Sequence, residues 1–420
     1  AATIVLVSAE RRAWKELTTD DARSDRKDRK DRKAPARAPS FLLLRKRKAA
    51  RGDREGRGRS KQEASRIRTN GFPKECLGGQ LGLEAGTYEV LEETELAGPC
   101  HITGAGSSIR LRAPLRISAN TTIAGALHFE STGPLLGPCL SVQGNVSVLA
   151  GATLGFKGCR NGGYFSKAGA LHVSGDLVSH AAMRFEDCHA GVGSRGWRSQ
   201  GGAISSGGSV KVAGGSLTIS NATAGFEGGA IWSYGNVKVE GGSLSISNAA
   251  AGSDGGAVFT EAMTVQGGML DIFDTRAGED GGAVFTMKAM AVQGGMLDII
   301  NTRAGANGGA VRANNVTVTA GGLAISDASA GKFGGAIWSG GSVKVEGGSL
   351  SISNAAAGSD GGGLRVDGNL IVSIREFIIR DVRAGASGGA MCVGGNVVFE
   401  KGLHIANASA QQGGGLRTLG

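Results

Sequence analysis

The chain has 420 residues and a net charge of +10, with 74 glycines, seven prolines and only 5% aromatic residues. That much glycine argues against sustained helices, since each interior Gly costs about 1 kcal/mol relative to Ala. The charge is concentrated: residues 1–75 hold 23 of the 46 Lys and Arg and 11 of the 36 Asp and Glu, a net +12. The basic balance therefore describes one end of the chain and says little about the rest.

Residues 1–75 read as a disordered basic tail. Stretches such as Asp25-Arg26-Lys27-Asp28-Arg29-Lys30 carry no apolar period and cannot build a core. Arg45-Lys46-Arg47-Lys48 has the composition of a nuclear-import or polyanion patch, but a solvated tail accounts for it, and we expect no specific nucleic-acid partner. Arg51-Gly52-Asp53 is a chance tripeptide in so Arg-, Gly- and Asp-rich a setting. Phe41-Leu42-Leu43-Leu44 is far short of the roughly 20 apolar residues that span a bilayer. The apolar start, Ala1 to Ser8, leads into Arg11-Arg12 and lacks the layout of a secretory leader.

Residues 76–167 alternate apolar and polar residues with uneven spacing, as in Tyr88-Glu89-Val90, Ile109-Arg110-Leu111 and Leu115-Arg116-Ile117. They read as the irregular first coils of a solenoid, whose terminal units must cap the stack. Six cysteines are present, none in a C-x-x-C pattern. Cys159 and Cys188 occupy matching points, in Phe156-Lys157-Gly158-Cys159 and Phe185-Glu186-Asp187-Cys188, and stacking would bring them within disulfide range. Cys76, Cys100 and Cys139 fall in the irregular coils, and Cys392 is expected to be a lone thiol.

Residues 168–420 form a repeat of about 27 residues. Units open with Gly-Gly-Ala and an aliphatic, as at Gly228-Gly229-Ala230-Ile231, Gly255-Gly256-Ala257-Val258 and Gly281-Gly282-Ala283-Val284. Each then shows two more short alternations, such as Val237 with Val239 and Leu244 with Ile246, separated by glycine pairs. Period-two patterning bounded by glycines means strands, and three strands per unit make one coil of a parallel β-helix. The predicted fold is all-β, a right-handed parallel β-helix of the pectin-lyase type, with coils about 4.8 Å apart.

A second column follows the third strand of each coil: Asp187, Asn221, Asn248, Asp274, Asn301, Asp327, Asn354, Asp381 and Asn407. No two Asp are neighbours in it. We expect a structural ladder of stacked side chains, in which each Asn separates and donates to carboxylates that would otherwise repel. The residue after the opening aliphatic gives a third column, including Trp232, Phe259, Phe285, Arg312, Trp338 and Arg365. Strand alternation turns it away from the core, making it a candidate binding stripe for a glycan or protein.

No catalytic set stands out. Asp271 and Asp298 match on neighbouring coils, but near-duplication of one unit (Met269-Leu270-Asp271-Ile272, Met296-Leu297-Asp298-Ile299) explains them. Glu227, Asp254, Asp280 and Asp360 precede glycine corners; we read them as solvated carboxylates, because calcium solenoids of the Gly-Asp type use a nine-residue repeat. The histidines are scattered, and we expect no metal and no cofactor.

The Gly-Gly-Ala-Ile openings, with Phe185-Glu186-Asp187, Phe273-Asp274 and Leu244-Ser245-Ile246-Ser247-Asn248 before the next opening, resemble the GGA[ILV] and FxxN repeats of the polymorphic outer-membrane proteins. These are autotransporter adhesins of chlamydiae, and the resemblance covers residues from about 168 to 420. It implies a non-enzymatic passenger at the cell surface or secreted, binding a surface glycan or protein. It also implies outer-membrane association through a terminal barrel that this chain lacks. The absent initiator Met and the end at Gly420, just after another Gly-Gly-Gly-Leu opening, suggest a fragment. The alternative is a carbohydrate-active β-helix enzyme with a cleft in residues 76–200; a polyanion-associated protein using the tail ranks third.

Overall fold

The computed structural model describes residues 4–6, 69–163, 165–191 and 198–419. Apart from Ile4–Leu6, a short strand parallel to Val397–Phe399, residues 1–68 lie outside this set, and so does the reading of them as a disordered tail.

The described residues form a parallel β-helix with no α-helix. Ile231 lies over Val258, Val258 over Val284 and Val284 over Val311, and the same column continues through Ile337, Leu364 and Met391 to Leu416. Two further columns are built alike, Val237 over Met263 and Leu244 over Leu270. Each coil thus has three short strands, for example Ile231 to Ser233, Val237 to Glu240 and Ser243–Ser247, whose alternate residues point inward. Most inward residues are aliphatic and fully buried, so the core runs along the axis chiefly as stacked Val, Ile and Leu. No single coil could bury them; the neighbours above and below do so.

In the irregular coils and the first coil of the repeat, the third-strand column carries larger residues. Phe129, Phe156 and Phe185 stack inside with ring centroids 4.9 Å apart. In the regular coils this place goes to Ile219, Ile246 and Ile272. Phe273 does not share the Phe185 position, contrary to the motif reading. Alternation sends Ile272 inward and leaves Phe273 on the surface.

The opening glycines have distinct tasks. Gly255 has φ +64°, a left-handed conformation that side chains disfavour. Gly256 lies against the next coil: a Cβ there would sit 2.0 Å from the carbonyl oxygen of Gly282. The Ala that follows is inward and buried. At the end of the first strand an inward hydroxyl closes the corner. Ser206, Ser233 and Thr260 donate to the carbonyls of Gly175, Gly208 and Gly235 at 2.8, 2.8 and 2.7 Å.

Candidate functional site

The outward column of the first strands reads His172, Ser205, Trp232, Phe259, Phe285, Arg312, Trp338, Arg365 and Cys392, in register. Its aromatic part stacks, with Phe259 and Phe285 centroids 4.9 Å apart and their planes 9° from parallel. The Arg312 guanidinium lies between two rings, 4.4 Å from Phe285 and 4.8 Å from Trp338. The column does face away from the core, yet it is not an open binding stripe. Phe259 and Phe285 are only 8% and 9% exposed. They are stacked between their neighbours in the column, and side chains from the turn before the Gly-Gly pairs grip other members of it. Trp232 Nε1 donates to Glu227 at 3.0 Å, and Arg365 pairs with Asp360 at 3.3 Å and stacks on Phe333. Sequence alternation gives direction but not burial.

The carboxylates of that turn are not solvated corners. Glu227 and Asp254 are half-buried, and burial raises both above the ordinary carboxylate range. Asp254 accepts the backbone N–H of Asp280, and Asp280 accepts both the backbone and side-chain N–H groups of Asn307. They tie coil to coil. Among the described residues no group of three His, Cys, Asp or Glu is placed to hold a metal.

The Asn/Asp column takes up the left-handed backbone region throughout, with φ between 49° and 57°. Asn and Asp tolerate this region better than other side chains, which is why they recur there. Asn221 Nδ2 donates to Asp187 at 3.0 Å, Asn301 to Asp274 at 2.6 Å and Asn407 to Asp381 at 2.8 Å. Asn248 donates to Asn221, and Asn354 to Asp327. Every one of these bonds points toward the preceding coil. A carboxylate has no proton to pass on, so the ladder breaks into short groups that each start at an Asp.

A second ladder has no counterpart among the sequence expectations. The residue before the second strand accepts, through its side-chain oxygen, the backbone N–H at the same place one coil later. Asn120 takes that of Asn145, Asn145 that of Asp176, and Asp176 that of Ser209, at 2.8, 2.8 and 2.7 Å. Its sequence signal is an Asn, Asp or Ser just ahead of the second strand in most coils, with Ala262 and Ala289 as the exceptions.

The cysteines pair differently from expectation. Cys139 bonds Cys159, and Cys76 bonds Cys100. Cys188 does stack one coil from Cys159, since the next residue, His189, donates its N–H to the Cys159 carbonyl. Its thiol is nonetheless free and buried, and burial pushes its pKa up to about 12. Cys139 holds the place that Ala170 and Ala203 take in later openings, across the coil interior from Cys159. Cys392 is a free thiol, as expected, and receives a hydrogen bond from Arg365 at 3.2 Å.

Among the described residues, grooves open on the outside of the third strands and their turns, and two stand out. The larger, about 520 Å³, crosses the irregular coils. Its centre is the outward row Ser108, His128, Gly155, Arg184 and Thr218, in which glycine leaves the depression and His128 leans over it. The described residues lining it include no Asp or Glu. The second, about 410 Å³, lies beside the Asn/Asp ladder, among His189, Thr223, Ala250, Arg276 and Arg303. Asp271 and Asp298 are in register on the strand that leads into this turn. Burial, then the neighbouring Asp298, raises the Asp271 carboxyl.

Fold and surface define a parallel β-helical repeat protein with stacked side-chain columns. No known protein family, curated protein or solved structure matches the chain.

Proposed function

We propose that the chain is a non-enzymatic, adhesion-type scaffold that acts at the cell surface or in secreted form and binds a surface glycan or protein. One observation carries this reading: outward residues repeat in register on neighbouring coils. Asp271 lies over Asp298 and Arg276 over Arg303. A ligand that runs along the axis meets the same chemistry at successive steps of about 4.8 Å. Weak contacts repeated in this way add up by effective concentration. The test is retention of cells on immobilised protein. Removing whole coils from 201–420 should lower retention in proportion to coils lost. Equal retention by a protein with half of these coils would reject the reading.

The enzyme alternative has one feature in its favour, the His128–Arg184 groove in the irregular coils. Glycosidases place two carboxyl groups about the bond they cleave, and among the described residues no such pair lines this groove. A lyase using His128 as base would depolymerise polygalacturonate, and H128A would abolish that turnover. Absence of any turnover leaves the scaffold reading.

A further inference from the structure

We infer that the groove beside the Asn/Asp ladder is a subsite for an anionic saccharide unit, a uronate or sulfated sugar, with Arg276 and Arg303 holding its negative group. The inference rests on the scaffold reading and names the ligand class for it.

The groove exists because the outward row after the ladder turn changes size. It runs Arg160, His189, Thr223, Ala250, Arg276, Arg303, in register coil by coil. Thr223 and Ala250 are short, and the longer His189 and Arg276 bound the gap on either side. Two guanidinium groups thus sit on adjacent coils at one edge of a depression of about 410 Å³.

Among the described residues, those two arginines have no carboxylate within ion-pair distance. Several cations elsewhere on the coils do: Arg116 with Glu93, Lys211 with Glu240, Lys288 with Glu261 and Lys344 with Glu346. The neighbouring acid of the ladder, Asp274, is already accepting from Asn301. Like charges directly opposite in neighbouring strands repel. An anion bridging both guanidinium groups removes that repulsion and matches their planar, forked donors.

The rest of the groove fits a sugar ring. Asn221, Asn248 and Asn301 line one side with amide groups that can meet hydroxyls, while Ala249 and Ala250 give a small apolar floor. Phe273, 38% exposed, and Ile300 stand just before the ladder turn on the same two coils, where the apolar face of a ring can pack. Burial, then nearby Arg160, lowers the His189 pKa and so disfavours its charged form, and its Nδ1 is engaged with Thr223 at 2.6 Å. The recognising charge is therefore that of the arginines.

The basic tail could mimic such binding, so the test separates the two on the full chain. Affinity for polygalacturonate and for heparin is measured for the wild type, for R276Q/R303Q, and for a protein with Arg45, Lys46, Arg47 and Lys48 changed to Ser. The double variant should bind at least one of the two polymers about tenfold or more weaker, with an unchanged unfolding midpoint, and R276K/R303K should fall between. The preferred polymer distinguishes uronate from sulfate. Binding that follows the tail and ignores the arginines overturns the inference, as does equal competition by poly-glutamate, which would assign the groove to acidic peptide. Cell retention is scored separately. Its loss with Arg-dependent polymer binding intact rejects the scaffold role but keeps the subsite; cell retention without Arg-dependent polymer binding does the reverse.

Discussion

At the scale of single residues, left-handed turns and half-buried ionisable groups decide the energetics. Asn301 is in the left-handed region at φ 53° and donates to Asp274. Asn301→Ala keeps the strained backbone and loses the bond; the two effects together cost about 2 kcal/mol. Asn301→Gly loses the bond but relieves the strain, so its cost should stay below about 1 kcal/mol. Urea unfolding of both variants measures the difference, and equal midpoints would mean that the bond alone matters. His172 gives a pH signature. Its Nδ1–H donates to the Ser205 carbonyl at 3.2 Å, and burial, then Lys167, lowers its pKa to about 4. The unfolded imidazole titrates near 6.5. Below pH 6.5 the unfolded chain therefore takes up the proton first, and stability falls until about pH 4, by roughly 3 kcal/mol at most. Glu227, with its raised pKa, shifts stability the opposite way as pH falls. Subtracting the His172→Gln profile from that of the wild type isolates the histidine; a flat difference between pH 7.5 and 4 would rule out its burial in neutral form.

At the scale of strands and corners, the two kinds of glycine should respond differently to the same change. A Cβ at Gly267 meets nothing within 4 Å, although φ is +62°. Gly267→Ala should therefore cost only left-handed strain, about 1–2 kcal/mol. At Gly256, which is not left-handed, the Cβ would press on backbone atoms of Gly282 and Arg276 at 2.0 and 2.6 Å, and backbone cannot step aside. Gly256→Ala should force neighbouring coils apart and abolish cooperative thermal unfolding, which circular dichroism would show. The cross-link of Cys139 to Cys159 closes a loop of 20 residues, worth about 3 kcal/mol by loop entropy. Cys159→Ala should lower stability by about that amount, whereas Cys188→Ala loses only a small buried side chain. The strands, their inward residues and the ladder positions were legible because a solenoid repeats its environment at fixed spacing. Compactness across the coil was not. Spacing compares Cys159 with Cys188 on neighbouring coils, and it carries no trace of Cys139 opposite. Nor does it show that Phe259 and Phe285 are buried, or the loss of side-chain volume at Ala250 that makes the smaller groove.

At the scale of the whole solenoid, stability is a sum of contacts between neighbouring coils, so an entire coil can be removed if the faces that then meet are compatible. Deleting residues 256–281 joins Gly255 to Gly282 and restores Gly-Gly-Ala-Val; deleting 282–308 joins Gly281 to Gly309 and restores it again. Both keep aliphatic over aliphatic, with Val237 meeting Met290 in the first case and Met263 meeting Val316 in the second. They differ in the ladder. The first deletion sets Asn248 against Asn301, and the amide of one can donate to the other. The second sets Asp274 against Asp327, a pair that the native order never contains. Two facing carboxylates repel and neither can donate, a penalty of about 1 kcal/mol at neutral pH on an exposed corner. The expected result is two folded β-rich proteins, the second less stable at pH 7 in urea or thermal unfolding. Equal midpoints would show that alternation of Asn and Asp along the ladder does not matter to the stack. Failure of both deletions to fold would show that coupling extends beyond the nearest coil.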